Sequence, residues 1–180
     1  MRRIRLLAML TVVAALGLGS LLPVRAQQAP SLAVVPPSQT VALGEDSFDV
    51  SVTVDDVTNL GGYTLVMTYD PDVLRALTIT DSGLAGSTGN AVLCPASAID
   101  NDAGRLAHFC FTIPLFAGPG PQTSEPQVLV MVRFEPVAEG TTTLDISDSS
   151  IIDPQGNGLG ASTANGTVTL SSGIGPRPEV

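Results

Sequence analysis

Apolar and polar residues alternate along two segments in the first half of the chain. In residues 48–54, every second residue is apolar: Phe48, Val50, Val52 and Val54. A period of two is typical of a strand with one face in the core and one face in water. Residues 62–69 show the same period, and their predicted core face consists of Tyr63, Leu65, Met67 and Tyr69.

Turn residues separate further runs that are rich in Val, Thr, Ile and Leu. Pro36 and Pro37 interrupt residues 34–41, which predicts an edge or broken strand because proline cannot donate to the ladder. The other predicted strands are residues 73–80, 90–99, 105–114, 128–134, 141–146 and 166–171, with turns at 70–72 and 153–158. We find no helical pattern and no repeat. Eight or nine antiparallel strands in one domain predict an all-β sandwich of jelly-roll or immunoglobulin type.

The N-terminus has the layout of a secretory signal peptide. Three arginines lie within the first five residues, a run of apolar and small residues follows at 6–22, and Ala26 provides a small cleavage-site residue. A membrane anchor is the alternative, but the run is at the short limit of about 17 residues for a spanning helix. We therefore predict a signal peptide at residues 1–26, a domain at 27–172 and a flexible tail at 173–180. The predicted mature protein is extracellular and does not span a membrane.

Charge excludes one class of partner. Cleavage after Ala26 would leave 4 basic residues against 17 acidic ones, so the formal charge of the mature chain would be −13. Such a surface repels phosphate backbones, and no nucleic-acid partner is predicted.

The two cysteines, Cys94 and Cys110, predict a disulfide because an exported chain matures in an oxidising compartment. If residues 101–103 form a hairpin loop and Gly104 is left-handed, opposed residues have numbers that sum to 204. Cys94 would then face Cys110 within bonding distance. A metal site would need further ligands, and His108 is the only histidine. We predict the disulfide and no metal.

No catalytic constellation is found, and the chain is predicted not to be an enzyme and to need no cofactor. His108 has no predicted partner that would make it a base. The acidic pairs occur at turns, where aspartate side chains bond the backbone. Asp100 and Asp102 offer oxygen donors for calcium but lack the remaining ligands, so calcium binding stays open.

Four segments resemble the cohesin family. They are GEDSFDVSV at 44–52, VTNLGGY at 57–63, YDPDVL at 69–74 and NGTVTL at 165–170. The resemblance spans residues 31–171. It implies a nine-stranded jelly roll with immunoglobulin-like layers that binds a dockerin, a small calcium-loaded helical module on a partner protein. It also implies a link to extracellular polysaccharide degradation.

The resemblance implies a docking surface as well, on the outer face of the sheet that contains the family's third, fifth, sixth and eighth strands. Carried onto this sequence, the predicted contacts of the third strand are Thr64, Val66 and Thr68. Those of the sixth strand are Leu106, His108 and Thr112, on the same side as Cys110. The disulfide would then lie on or beside the docking face, which departs from the family's pattern. Gly62 and Thr64 also replace the polar asparagine and aspartate contacts of that pattern.

A carbohydrate-binding module is the alternative, because it shares the fold class and the compartment. Sugar platforms use exposed aromatic rings. The chain has no tryptophan, and the strand phases predict that Phe109 and Phe111 are core residues, like Tyr63 and Tyr69. The aromatic shortage favours a protein partner over a polysaccharide.

Overall fold

The computed structural model describes residues 29–113 and 118–172, and these residues form a sandwich of two β-sheets. The predicted signal peptide at 1–26 and tail at 173–180 lie outside the described residues. The strands are β1 Ser31–Val35, β2 Ser38–Ala42, β3 Phe48–Asp55, β4 Gly62–Thr68, β5 Leu74–Asp81, β6 Val92–Asp100, β7 Arg105–Thr112, β8 Gln127–Pro136, β9 Gly140–Ile152, β10 Ser162–Ala164 and β11 Gly166–Ser171. A short 3₁₀ helix spans Leu84–Gly86.

The strand orders are β10-β1-β3-β8-β5 in the five-stranded sheet and β2-β11-β9-β4-β7-β6 in the six-stranded sheet. The predicted all-β sandwich is confirmed. The described residues contain eleven strands rather than nine, because Pro36 and Pro37 divide one segment between the two sheets and β10 was not predicted. Two edge pairings, β1 with β10 and β2 with β11, are parallel rather than antiparallel. No helix long and apolar enough to span a bilayer occurs at 29–113 or 118–172.

The core lies between the sheets and contains the predicted face of β4. Tyr63, Leu65 and Met67 are at most 1% exposed, and Tyr69 is also buried. From the opposite sheet, Phe134 of β8 meets the Tyr69 ring edge-on, with 5.3 Å between the centroids. The predicted inward phase of this segment is therefore confirmed, and it sets the orientation of the neighbouring strands.

The predicted turns are built by aspartate side chains. Asp70 Oδ1 accepts a hydrogen bond from the backbone N–H of Asp72 at 3.0 Å. Asp153 Oδ1 accepts from the N–H groups of Gln155 and Asn157 at 2.9 and 2.8 Å. Carboxylates that bond the following backbone in this way stabilise tight turns.

The β6–β7 hairpin differs from the prediction by one residue at its turn. Asp100 pairs with Arg105, so the opposed residue numbers sum to 205 near the turn. An irregularity between Leu93 and Ala96 adds one residue to β6, and beyond it the sum returns to 204. Gly104 is left-handed, with φ 58°, as predicted. The bulge, rather than the turn, brings Cys94 opposite Cys110.

Gly61 precedes β4 at a point where three chain segments meet. Its N–H donates to Ile152 O at 2.7 Å, and its carbonyl accepts from Thr112 N at 2.7 Å. A Cβ at this position would lie 2.1 Å from the backbone carbon of Asp153. Backbone atoms held by hydrogen bonds cannot move aside cheaply, so only glycine fits.

We expect Gly61→Ala to lower the free energy of unfolding by about 3 kcal/mol, at the upper end of the cost of overpacking. Urea denaturation would measure the change. Gly44→Ala is the matched control, because a Cβ at Gly44 would meet nothing within 4 Å. Equal midpoints for the two variants would contradict the close approach seen at Gly61.

Candidate functional site

The orientation of β7 follows from its pairing with β4. Tyr63 pairs with Cys110, Leu65 with His108 and Met67 with Leu106. Directly opposed residues in an antiparallel pair point to the same side of the sheet. Because the paired residues of β4 point into the core, every second residue of β7, beginning with Leu106, points into the core as well.

Three predicted contact residues therefore cannot reach a partner on the outer face. Leu106, His108 and Thr112 are 0, 4 and 3% exposed. The prediction that they face outward is wrong. The phase of β7 is the reverse of the predicted one, because the register with β4 decides it and the sequence of β7 does not.

Phe109 and Phe111 occupy the outer face that was predicted for His108. Phe109 is 37% exposed, and Phe111 is half-buried beside it. Their rings are stacked, with centroids 5.1 Å apart. Leu93 of β6 lies opposite Phe111 in the register and is 48% exposed. The prediction that both phenylalanines are core residues is wrong, and they form an apolar cluster on the sheet surface with Leu93.

The β4 contacts predicted from the resemblance do lie on this outer face. Thr64 pairs with Phe109, Val66 with Ala107 and Thr68 with Arg105, so these side chains share one side. Thr64 and Thr68 are half-buried. Val66 is only 5% exposed, yet it is not part of the core cluster between the sheets. We call this surface the β4–β7 face, defined by Thr64, Val66, Thr68, Ala107, Phe109 and Phe111.

Polar and charged residues surround the β4–β7 face. On β9, Asp148 pairs with Val66 and Asp145 pairs with Thr68. On β7, Arg105 pairs with Thr68 on one side and with Asp100 on the other. The arrangement has an apolar centre and a charged rim, which is the usual anatomy of a protein–protein interface.

The disulfide lies beneath this face rather than on it. Cys94 and Cys110 are bonded as predicted, with their Cα atoms 4.2 Å apart. Cys110 is buried, and the exposed Cys94 is at the irregular part of edge strand β6. The bond therefore ties the edge strand to its neighbour from the core side. The expectation that the Cys110 side chain shares the outer face of the sheet is wrong, because Cys110 is buried in the core.

His108 and Asp81 adjoin the disulfide. His108 Nε2 is 3.2 Å from Cys110 Sγ, and His108 Nδ1 shares a hydrogen bond with Ser97 Oγ at 2.7 Å. Asp81, at the end of β5 in the opposite sheet, accepts a hydrogen bond from the Tyr63 hydroxyl. These contacts join both sheets through polar groups inside the sandwich.

Burial dominates the protonation of this cluster. It lowers the pKa of His108, and the nearby Asp81 carboxylate partly opposes that change. Burial also raises the pKa of Tyr63, and the hydrogen bond to Asp81 adds to the rise. Both groups are therefore neutral near pH 7.

Two features of this region were not predicted from the sequence. Phe109 and Phe111 lie opposite in phase to His108, so the prediction that His108 faces outward placed both phenylalanines in the core. Asp81 was not considered a neighbour of His108, because the two lie in different sheets. The available signal was the clear phase of β4, which determines the phase of β7 once their register is known.

Comparison with known families and structures gives one consistent result. The family described as "Cohesin domain" matches residues 32–170. Comparison with curated protein sequences gives no match. Among solved structures, the seventh ScaB type I cohesin from Pseudobacteroides cellulosolvens has a TM-score of 0.64 at 14% identity. That similarity covers 84% of this chain and 98% of the other.

Two further structures have the same fold. A non-cellulosomal cohesin from the hyperthermophilic archaeon Archaeoglobus fulgidus has a TM-score of 0.58 at 16% identity, covering 82% of this chain and 94% of the other. A type I cohesin–dockerin complex from Clostridium thermocellum has a TM-score of 0.62 at 14% identity, covering 81% and 97%. The family match spans most of the chain, and it agrees with the two-sheet architecture. The chain therefore belongs to the cohesin family, whose members are protein–protein interaction modules.

Proposed function

We propose that this protein is an exported interaction module that docks a dockerin-type partner on the β4–β7 face. The observation that carries the proposal is the exposed apolar cluster of Phe109, Phe111 and Leu93 on a sheet face with a charged rim. Removing such side chains from water favours association. A rigid sheet also presents them without an ordering cost, because the backbone is already held by ladder hydrogen bonds.

The partner class comes from the solved relatives, several of which are cohesin–dockerin complexes. We infer a protein partner of that kind for this chain. The Archaeoglobus relative is described as non-cellulosomal, so docking need not imply a cellulosome. A link to extracellular polysaccharide degradation would come through the enzyme that carries the docked module.

Export is part of the proposal. The basic start, the apolar run at 6–22 and the small residue Ala26 support cleavage of a signal peptide. The Cys94–Cys110 disulfide is in keeping with an oxidising, extracellular compartment. Mass spectrometry of the protein from culture medium would test this, and an N-terminus that still contains residues 1–26 would contradict it.

Binding is tested with calcium-loaded dockerin modules from exported proteins of the same organism. Each module is titrated into the purified protein in a calorimeter, with and without a calcium chelator. We expect at least one module to bind in calcium and to lose binding in the chelator. If no module binds at about 100 μM, a concentration well above the Kd of a specific complex, the proposal is wrong.

Glycan binding is the second candidate, and the exposed ring of Phe109 is the observation in its favour. Exposed aromatic faces provide apolar contact for sugars. Affinity electrophoresis on a panel of soluble polysaccharides separates the two candidates. Retardation by a polysaccharide, together with no binding of any dockerin module, would reverse their order.

Val66→Arg tests the location of the interface. Val66 lies at the centre of β4, and an arginine there would have to extend over the β4–β7 face to reach water. We expect binding of a dockerin module to weaken by about 30-fold or more, the effect typical of a disrupted interface centre. Val128→Arg is the matched control, because Val128 is 41% exposed on the five-stranded sheet. Unchanged affinity in Val66→Arg would place the interface elsewhere.

A further inference from the structure

Four side chains of metal-ligating type converge around the disulfide. The ligand atoms of Asp81, Cys94, His108 and Cys110 all lie within 4.8 Å of one another. They come from β5 in one sheet and from β6 and β7 in the other. While the two sulfurs are bonded to each other, only the imidazole and the carboxylate are free to act as ligands.

Apart from the two sulfurs, which are bonded to each other, the spacing of these atoms is near that of a tetrahedral metal shell. Zinc–sulfur bonds of about 2.3 Å and zinc–nitrogen bonds of about 2.0 Å place the ligand atoms roughly 3.5 Å apart. His108 Nε2 is already 3.2 Å from Cys110 Sγ. No pair of ligand atoms is more than 4.8 Å apart. Once the S–S bond is broken and the sulfurs separate, shifts of about 1 Å in each ligand atom would complete the shell.

The backbone permits the movement that reduction would require. Cys94 lies between Leu93 and Ala96, where the register of β6 with β7 is irregular. Strand β6 is also at the edge of its sheet, so it has a neighbour on one side only. A residue at such a point can shift without breaking a regular ladder.

Hydrogen bonds from the surrounding residues already orient the ligands. The bond between Ser97 Oγ and His108 Nδ1, at 2.7 Å, leaves Nε2 directed toward the sulfur. The Tyr63 hydroxyl donates to Asp81 Oδ1, and Gly83 N donates to Asp81 Oδ2 at 2.7 Å. Outer contacts of this kind fix the orientation of metal ligands and are typical of metal sites.

We propose that, when the disulfide is reduced, Cys94, Cys110, His108 and Asp81 bind one Zn²⁺ or a similar thiophilic divalent cation. A dithiol or phosphine reductant supplies two electrons, and cleavage of the S–S bond with uptake of two protons gives two thiols. The cation then displaces both thiol protons to solvent and forms bonds to the two sulfurs, one ring nitrogen and one carboxylate oxygen.

The site would thus have two alternative cross-links. The disulfide ties β6 to β7, whereas a bound cation would tie β5 to both of them through Asp81. The site lies on the core side of the sheet and does not depend on partner docking. Its test can therefore fail or succeed independently of the proposed function.

Cobalt is the probe, because Co²⁺ occupies zinc sites and is coloured. The purified protein is reduced anaerobically with a phosphine, freed of excess reductant and titrated with Co²⁺. We expect one equivalent to bind, with thiolate-to-cobalt charge-transfer bands in the near ultraviolet and strong tetrahedral d–d bands in the visible. One equivalent of Zn²⁺ should bleach both sets of bands. The oxidised protein should give neither.

Variants separate this site from adventitious binding. Cys110→Ser should abolish the charge-transfer bands. Asp81→Asn should weaken Co²⁺ binding tenfold or more, since losing even a residue that only orients a metal ligand costs that much. Asp72→Asn, at an exposed turn carboxylate, should bind as the unmodified protein does. The proposal would be overturned if Cys110→Ser bound Co²⁺ as tightly as the unmodified protein. It would also be overturned if the reduced protein kept its far-ultraviolet circular dichroism and bound no Co²⁺.

A second measurement covers the case in which reduction unfolds the protein. If the reduced protein loses its β-sheet circular dichroism, Zn²⁺ should restore the signal, because binding to the folded state favours folding. It should not do so in the Cys94→Ser, Cys110→Ser double variant. A reduced protein that stays unfolded with Zn²⁺ would also overturn the proposal.

Discussion

Phe109→Ala will weaken binding of a dockerin module about 100-fold, because aromatic residues at the centre of an interface contribute most of its affinity. Phe109 is 37% exposed and stacks on Phe111 at 5.1 Å, so it is available to a partner and held in place. The free energy of unfolding should fall by only about 1 kcal/mol, the cost of losing an aromatic pair. Calorimetric titration and urea denaturation measure the two effects separately.

Met131→Ala is the control for this experiment. Met131 is 41% exposed, which is close to Phe109, but it lies on β8 in the five-stranded sheet. Its removal should leave binding unchanged. If Met131→Ala weakened binding while Phe109→Ala did not, the docking surface would be the other face of the sandwich.

His108→Asp will lower the free energy of unfolding more than any surface substitution does. His108 is 4% exposed and faces the disulfide, with the Asp81 carboxylate nearby. An aspartate there would have to be buried beside a like charge. Burial of a carboxyl raises its pKa by about 3 units, and each unit corresponds to 1.36 kcal/mol. We therefore expect a loss of about 4 kcal/mol at pH 7, beyond the cost of losing the imidazole.

His108→Asn separates the charge from the shape, because asparagine has nearly the same volume as aspartate and carries no charge. In the aspartate variant the pKa is raised in the folded state, so its penalty is present near pH 7 and fades as pH falls toward the unfolded value of about 4. Urea denaturation at pH 7 and at about pH 4 measures how the free energy of unfolding differs between the two variants. Equal stability at pH 7 would mean that residue 108 is not enclosed as the structure indicates.

Local pattern was sufficient for the first half of the fold. Residues 48–54 and 62–69 alternate cleanly, and the structure buries their apolar phase. The disulfide was also predictable, since each of the two cysteines had only the other as a possible partner. The predicted register reached the right pair although its loop was one residue short, because the bulge between Leu93 and Ala96 compensates.

Strand β7 shows why the contact residues were not predictable. It reads RLAHFCFT, with apolar residues in both phases, so periodicity alone does not say which face is buried. Phe109 and Phe111 share one phase, and the prediction that this phase faces the core is wrong. The pairing of Cys110 with Tyr63 and of His108 with Leu65 decides the matter. A shift of one residue would exchange the two faces, and nothing within β7 specifies that shift.

What the sequence by itself determined is the set of local properties: the strands, their turns, the family and the pairing of the two cysteines. Only the tertiary structure decided which phase of β7 faces outward, and with it that Phe109 rather than His108 is available to a partner. It also brought Asp81 of one sheet to His108 of the other. The physical reason is that both results depend on contacts between strands, which the alternation within a single strand does not encode.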